Sequence, residues 1–449
     1  MSLLLGIDIG TSRCKALLID RSGAAQAGAA VPTPFADTPA GTEMGLDALW
    51  SGLAGVIEEL GLAVADVSAI GICGMAECGA PLDARGLALA PVIAWHDPRG
   101  AEVSEHLEAA FGDAIGLRTG QRPRPVSTVA KLGWLREHGC PEPARWLGVP
   151  ELCLWRLSGA ETTEHSLASR TGCWDVLEQE WLEDIAGAAG FSTTVFPPVR
   201  PAGSTMGRVT AEAAAAFGVP GGVPVTLAGH DHLAGALGAG AGPGDLVNSV
   251  GTAETVVGTA AGRPDLRVAL HRRTPVSVSL GGAGWTVMGG AARAGVILTR
   301  AAGLLGCSFA ELDALALGAQ PIEAAPLLPV LQSGAEVALP EASPGAVWRG
   351  LLEALAARTA ETVHRVRALA QADRVVVIGG GSRSIPWLQA KTAAVGLPLA
   401  RLADARSGDY AAARGAAVLA GVAAGWWTEA SDAPEPEMAP AAEARDPGV

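Results

Sequence analysis

The segment Gly6-Ile7-Asp8-Ile9-Gly10-Thr11-Ser12-Arg13-Cys14-Lys15 joins a carboxylate to a short turn of glycine and hydroxyls. Backbone N–H groups crowd together in such a turn and can surround an oxyanion such as a phosphate. Asp8, just before the turn, is placed to hold Mg²⁺ through water, because Mg²⁺ prefers oxygen ligands and keeps several waters. The segment lacks the G-x-x-x-x-G-K-[ST] pattern of a Walker A loop. Taken alone, it fits an ordinary core hairpin equally well. A second dense stretch is Gly229-His230-Asp231-His232. Two histidines one residue apart can share a strand face and ligate a metal, as in a hydrolase, while Asp231 can also cap a helix over 233–238. A third is Gly379-Gly380-Gly381-Ser382-Arg383-Ser384, whose glycines permit either ligand approach or close packing.

The elements that must carry these residues alternate between strand and helix. The flanks of the first turn read as two strands. Helical spacing follows over 46–62, then a strand over 67–73 running into Gly74-Met75-Ala76-Glu77-Cys78-Gly79. A strand over 91–95 ends at His96-Asp97-Pro98-Arg99, and helices follow near 101–111 and 129–137. An apolar strand, 224–228, feeds the His-Asp-His stretch. The second half restarts the pattern: strand, Gly251-Thr252 turn, strand 255–257, then a long helix over 347–370 and a buried strand over 374–378 before the glycine turn. Helices near 386–395 and 410–424 complete it. From about Thr428 the chain is rich in Pro, Ala and acid, and a loose tail is expected.

At 449 residues, two domains are expected, and 49% hydrophobic against 17% charged residues supplies a large core. A net charge of −14 argues against a nucleic-acid surface, which needs a basic patch. It says little against ATP, because local N–H groups and Mg²⁺ can overcome global charge. Seven cysteines without C-x-x-C spacing, as in Leu152-Cys153-Leu154, suggest buried reduced thiols rather than disulfides or zinc. No basic leader or membrane-length apolar run is apparent, so a cytoplasmic protein without a membrane partner is expected.

Together these stretches resemble the FGGY family of carbohydrate kinases, which includes glycerol kinase, xylulokinase, gluconokinase and fuculokinase. The resemblance covers about residues 3–425. Residues 6–15 resemble its first phosphate motif, 71–83 its sugar-binding turn, and Trp95-His96-Asp97-Pro98-Arg99 its W-x-D-x-R. Residues 228–231 resemble its catalytic loop and 379–389 its adenosine motif. Thr128-x-x-Lys131-Leu132-x-Trp134-Leu135-x-Glu137-His138 is close to a family signature, with Val126 a departure at its first position. The order and spacing of these motifs make the match specific. The resemblance implies an α/β protein with two ribonuclease-H-like domains of the actin and Hsp70 type around a central cleft. The sugar-binding domain would be 1–237, the nucleotide-binding domain 238–427, and the flexible acidic tail 428–449.

The resemblance also implies roles. ATP and Mg²⁺ are the expected cofactors and a small sugar or polyol the expected substrate, a pentulose being favoured; a homodimer is left open. Asp231 would take the hydroxyl proton and Asp8 would hold Mg²⁺. Met75, Glu77, Trp95, Asp97, Asp231 and His232 would bind the sugar or support its pocket. Thr11, Ser12, Arg13, Gly251, Thr252, Gly295, Thr299, Gly380, Gly381 and Ser384 would contact the nucleotide. Arg13 and Lys15 are alternatively exposed strand charges, Trp95 is alternatively core, and Asp97 and Arg99 can simply pair. Ala76 stands where glycerol kinases have a substrate-binding arginine and xylulokinases a histidine, while His232 replaces a usual asparagine or glutamine. Residues 327–345 form a shorter, more apolar stretch than is usual in the family. A silent sugar or nucleotide sensor and a nucleotide hydrolase are the alternatives.

Overall fold

The computed structural model describes residues 2–441. The chain divides into two compact units. The first takes Met1–Gly238, Gly262–Thr286 and Ala412–Glu435; the second takes Ala239–Ala261, Val287–Ala411 and the chain from Pro436. The division expected from sequence treats each domain as continuous, whereas these units exchange segments.

In the first unit the strand Leu3–Ile9 is central and wholly buried, as its unbroken apolar run requires. It pairs antiparallel with Arg13–Ile19 and parallel with Val67–Gly74. Ala25–Pro32 extends one side antiparallel, and Pro224–His230 extends the other parallel, edged by Gly207–Arg208. The second unit repeats this plan. Gly244–Val250 pairs antiparallel with Glu254–Thr259 and parallel with Ala372–Ile378, followed by Leu399–Leu402. Trp285–Ala292 lies beyond Glu254–Thr259 in the sheet order. A central strand opening into a hairpin on one side and parallel crossovers on the other is the ribonuclease-H-like arrangement, present twice. In such sheets ligands bind beyond the carboxyl ends of the parallel strands. Asp8 is there, opposite Lys15 on one neighbour and Cys73 on the other.

The helix Ala411–Ala423 packs backbone to backbone on the first sheet. A Cβ on Gly6 would lie 1.8 Å from the Ala413 carbonyl oxygen, and one on Gly71 would lie 1.9 Å from that of Ala416. No side chain fits there. These glycines set the depth at which the helix docks.

Element ends differ from the sequence reading for local reasons. The expected helix over 46–62 stops at Glu58, and Gly61, with φ +67, opens a 3₁₀ turn, Gly61–Asp66. The long helix starts earlier, at Pro344, because Ser343 caps it and proline suits its first turn. The expected strand over 91–95 shrinks to Val92–Ile93, since the N–H of Asp97 turns back to the Ala94 carbonyl. The stretch 327–345 contains the helix Leu327–Ser333, closed by Gly334 in the left-handed region.

The expected loose tail is corrected over its described part. Residues Ala430–Asp432 form a 3₁₀ turn, and Met438–Pro440 adds an antiparallel edge to Leu399–Leu402. A backbone ladder needs no apolar sequence, so composition did not reveal it. The remainder of that expectation, 442–449, lies outside the described residues. All seven cysteines are free, but Cys140 and Cys307 are only partly buried, a correction to the expectation of buried thiols. No single described helix is long and apolar enough to cross a membrane.

Candidate active site

Asp231 owes its position to an irregular strand end. Pairing of Pro224–His230 with Val67–Gly74 shifts register between Leu227 and Gly229, and such a bulge re-aims the residues that follow. Gly229 has φ +76, and a Cβ there would lie 2.4 Å from Ser166 Oγ. His230 ends the strand and Asp231 begins the helix Asp231–Gly238. The backbone N–H of His230 donates to Ser166 Oγ at 2.9 Å. The Ser166 N–H donates to Glu164 Oε2 at 2.8 Å, and the Ser166 hydroxyl donates to the same oxygen.

Asp231 Oδ1 is buried without a hydrogen-bond partner, 3.3 Å from His230 Nε2 and 3.9 Å from His232 Nδ1. Burial pushes the Asp231 carboxyl up to about 7, with the charge of Glu77 adding to the effect. Asp8 is also buried, and its Oδ1 also lacks a partner. Burial, then the charge of Asp231, pushes it up to about 7, while Lys15 acts in the opposite direction. Burial drives His230 well below the usual imidazole range, and His232 down to about 4, with Arg170 contributing to both. Both rings are therefore neutral at pH 7. Buried polar atoms are normally satisfied, so the two orphan carboxylate oxygens are suited to a polar ligand.

An exposed or buried oxygen donor next to an anion-binding turn suits Mg²⁺, and Asp8 offers a buried one. The ligand atoms of His230, Asp231 and His232 lie within 4.8 Å of one another. Two nitrogens and one oxygen suit Zn²⁺ better than Mg²⁺, so this triad fits the metal-ligating alternative and Asp8 is the residue that fits the expected Mg²⁺.

Glu77 lies in the turn after Val67–Gly74 with φ +64, a conformation uncommon for a residue with a Cβ. Its Oε1 accepts from Arg170 Nε at 2.9 Å and from Arg170 Nη2. Arg124 Nη2 is 3.9 Å from the same oxygen. Arg170 is buried, and its Nη1 has no partner. Sequence reasoning missed Arg170, Arg124, Glu164 and Ser166. The available signal was a lone arginine within the mostly apolar stretch 167–174. Met75 is buried in the core beside Ala76, and its N–H donates to the Ile9 carbonyl at 2.9 Å. Both residues, with Glu77, Thr128 and Thr171, also line a pocket.

Trp95 is half-buried, and its Nε1 donates to Thr11 Oγ1 at 2.8 Å. Asp97 is saturated by protein donors. Arg99 Nε and Nη2 reach its two oxygens at 2.8 and 2.9 Å, and the backbone N–H groups of Arg99 and Thr42 add bonds at 3.0 Å. Burial opposes ionisation there, but these donors outweigh it and hold the carboxyl below its ordinary range. Lys131, from the family signature, is wholly buried and donates to the Asp97 and Arg99 carbonyls. Asp97 is thus paired with Arg99, the alternative left open in the sequence, and its two oxygens are taken by protein donors.

The first turn is braced by Thr33. Its Oγ1 donates to the Gly10 carbonyl at 2.6 Å, and its N–H to the Ser12 carbonyl at 3.0 Å. Ser12 and Arg13 are exposed. Arg13 Nη2 donates to the Ala30 carbonyl at 2.6 Å; of the two basic residues considered, Lys15 is the one whose charge acts on both Asp8 and Asp231.

In the second unit Gly295, the second residue of the helix Ala294–Leu305, lies directly against the Gly251-Thr252 turn. A Cβ on Gly295 would lie 2.5 Å from the Gly251 carbonyl oxygen. Thr299, one turn on, is exposed. Beneath this turn lies a buried network in which Lys391 Nζ donates to Glu254 Oε1, Asn248 Oδ1 and Thr359 Oγ1. Gly379 has φ +85, and Gly381 packs on Val250 so closely that a Cβ would lie 2.4 Å from Val250 Cγ1. Gly380 has no such crowding: the nearest side-chain atoms to its Cβ position are at 3.8 and 3.9 Å. Ser384 caps the helix Ile385–Val395, accepting from the Trp387 N–H at 3.4 Å.

The N-terminal domain of the FGGY family of carbohydrate kinases matches residues 3–238, and its C-terminal domain matches residues 329–424. L-Fuculokinase of Salmonella typhi is 27% identical over 457 residues, covering 97% of this chain and 94% of that protein. Xylulose kinase of Streptomyces rubiginosus is 32% identical over 269 residues, covering 58% of this chain and 55% of that protein. Among solved structures, xylulose kinase from Rhodospirillum rubrum has a TM-score of 0.78 at 25% identity, covering 97% of this chain and 93% of that one. The repeated ribonuclease-H-like sheet and the match to both family domains establish that this chain belongs to the FGGY carbohydrate kinases, enzymes that phosphorylate sugars with ATP.

Proposed function

We propose that this enzyme phosphorylates a hydroxyl of a small ketose, a pentulose being favoured, with Asp231 as general base. The observation that carries this reading is the Asp231 carboxylate: its Oδ1 is buried and unpartnered, and the group is raised to about 7. A base with a pKa near the working pH accepts a proton without being permanently protonated. Its seat at the start of a helix holds it still, and positioning supplies most of the catalysis in phosphoryl transfer.

Each neighbour has a task. Glu77 accepts from a sugar hydroxyl, and neutral His232 donates to or accepts from another. The Trp95 face packs on sugar C–H groups. Thr11 accepts from Trp95, which leaves its own proton to donate toward phosphate. Asp8 would hold Mg²⁺, which when bound would neutralise phosphate charge. Gly251, Thr252 and Gly295 would receive phosphate at a tight turn, and Gly380, which alone of the pair is uncrowded, would admit the adenosine, while Gly381 is taken up by close packing on Val250. Because Ala76 supplies no arginine, glycerol should be a poor acceptor and a longer chain should occupy the space.

The test is ATP consumption against a panel of ketoses, alditols, aldonates and glycerol, with Asp231→Asn as control. A ketose preferred over glycerol, with turnover lost in the variant, supports the reading. ATP hydrolysis unaffected by any sugar would instead indicate a nucleotide hydrolase, and no turnover at all would indicate a sensor.

A further inference from the structure

The residues that hold Asp231 and those that hold Glu77 come from one segment, 164–170, made of the short helix His165–Ala168 and its two flanks. At the leading end Glu164 is wholly buried and fixes Ser166, whose oxygen receives the His230 N–H. At the trailing end Arg170 grips Glu77. Between them Ser169 Oγ accepts from the Val278 N–H at 2.9 Å, so the segment is itself anchored. None of these residues has a role in the reading above, on which this inference rests.

We propose that segment 164–170 is a positioning element that sets the base and the sugar-binding carboxylate relative to each other, with Ser166 acting on Asp231 and Arg170 acting on Glu77. The guanidinium fork is planar and rigid, so two N–H groups on one oxygen fix the carboxylate's orientation as a lysine cannot. That matters because Glu77 stands in a left-handed turn beyond the end of the strand Val67–Gly74, outside the ladder that fixes the strand residues. The Ser166 oxygen does the same for the bulge. Gly229 can approach it only because it lacks a Cβ, and the register of Asp231 follows from that contact. Misplacing a reacting group by about 1 Å can cost ~10²-fold.

The two ends therefore separate kinetically. The assay is steady-state phosphorylation of D-xylulose and L-fuculose by the full-length enzyme with Mg-ATP. Arg170→Met should raise the ketose KM by roughly 10–100-fold, within the range of a lost charge-assisted contact, with the ATP KM unchanged. Arg170→Lys should recover only part. Ser166→Ala should lower kcat by about 10-fold or more while the ketose KM stays near the parent value, and Ser166→Thr, which keeps the oxygen, should stay close to the parent. In a Glu77→Gln background Arg170→Met should add little, because its action runs through Glu77. If Arg170→Met does not fold, Arg170→Lys carries that arm. Multiplying effects of Arg170→Met and Glu77→Gln, or parental kcat in Ser166→Ala, would overturn the inference while leaving the kinase reading intact. Parental ketose kinetics in Glu77→Gln would overturn both.

Discussion

The indole of Trp95 donates to the hydroxyl of Thr11 at 2.8 Å, across 84 positions of sequence. The ring assigned to the sugar and the turn assigned to phosphate are thus one hydrogen-bonded unit. Arg99 and Lys131 brace the Trp95 side through Asp97 and its carbonyl, and Thr33 braces the turn. A change on either side reaches the other through a single bond.

Trp95→Phe keeps an aromatic face but removes that bond. A net loss of about 0.5–1.5 kcal/mol corresponds to a few-fold to about tenfold change. Ketose and ATP KM values should both rise by such a factor, measured by varying each substrate in turn. A change confined to the ketose would mean that Thr11 is not a phosphate ligand.

Asp231→Asn should retain ATP binding and lose ~10²–10⁴-fold in kcat. In the parent, kcat/KM should fall as pH drops through about 7, because the base becomes protonated. Stability should move the other way. The folded carboxyl sits above its unfolded value of 3.8, so the folded state binds the extra proton and its advantage is lost as pH rises from about 4 to about 7. Asp231→Asn removes that penalty and should raise Tm at pH 8, with the gain shrinking toward pH 4. Thermal melts at several pH values, beside the rate profile, check both signs.

The fold was largely legible because its strands are apolar runs and its turns are glycine and hydroxyl residues; Leu3–Ile9 and Ala372–Ile378 could hardly be read otherwise. Asp8, Glu77 and Asp231 could be singled out as candidates because each stands at or just beyond the end of an apolar strand in a recognisable motif. Arg170 was not. It reaches Glu77 over 93 positions, and no local pattern encodes a contact so distant. The Met438–Pro440 edge was hidden for a different reason: its pairing uses backbone groups, which composition does not report.

Asp8→Asn should raise the Mg²⁺ concentration needed for half-maximal rate and lower the rate at saturation, because a neutral amide anchors hydrated Mg²⁺ poorly. A Mg²⁺ titration with folding checked by circular dichroism tests it. Unchanged dependence would leave Asp8 a structural residue. Zn²⁺ added in its place should not restore turnover.

Asp97→Asn separates bracing from binding. Arg99 is largely buried between Asp97 and Glu43; Glu43 stays beside it in the variant, so the loss falls short of the about 3–5 kcal/mol of a buried charge left with no partner. A marked fall in Tm is expected at pH 7. The difference from the parent should vanish at low pH, because the depressed Asp97 carboxyl gives stability that is lost as pH falls through its folded pKa, below 3.8.

Gly295→Ala tests the second unit. An alanine inside a helix is normally better than glycine by about 0.5–1 kcal/mol. Here its Cβ would lie 2.5 Å from the Gly251 oxygen and 2.9 Å from Thr252 Cα. Both are backbone atoms, which cannot swing aside as a side chain can. Overpacking of this kind costs about 1–3 kcal/mol, so the clash outweighs the helix preference and the helix start must retreat from the turn. The ATP KM should therefore rise while the ketose KM stays put, since all sugar-assigned residues are in the first unit. Stability should fall slightly or hold. A variant that is more stable and binds ATP as the parent does would show that Gly295 is an ordinary helix glycine and that the Gly251-Thr252 turn receives no phosphate.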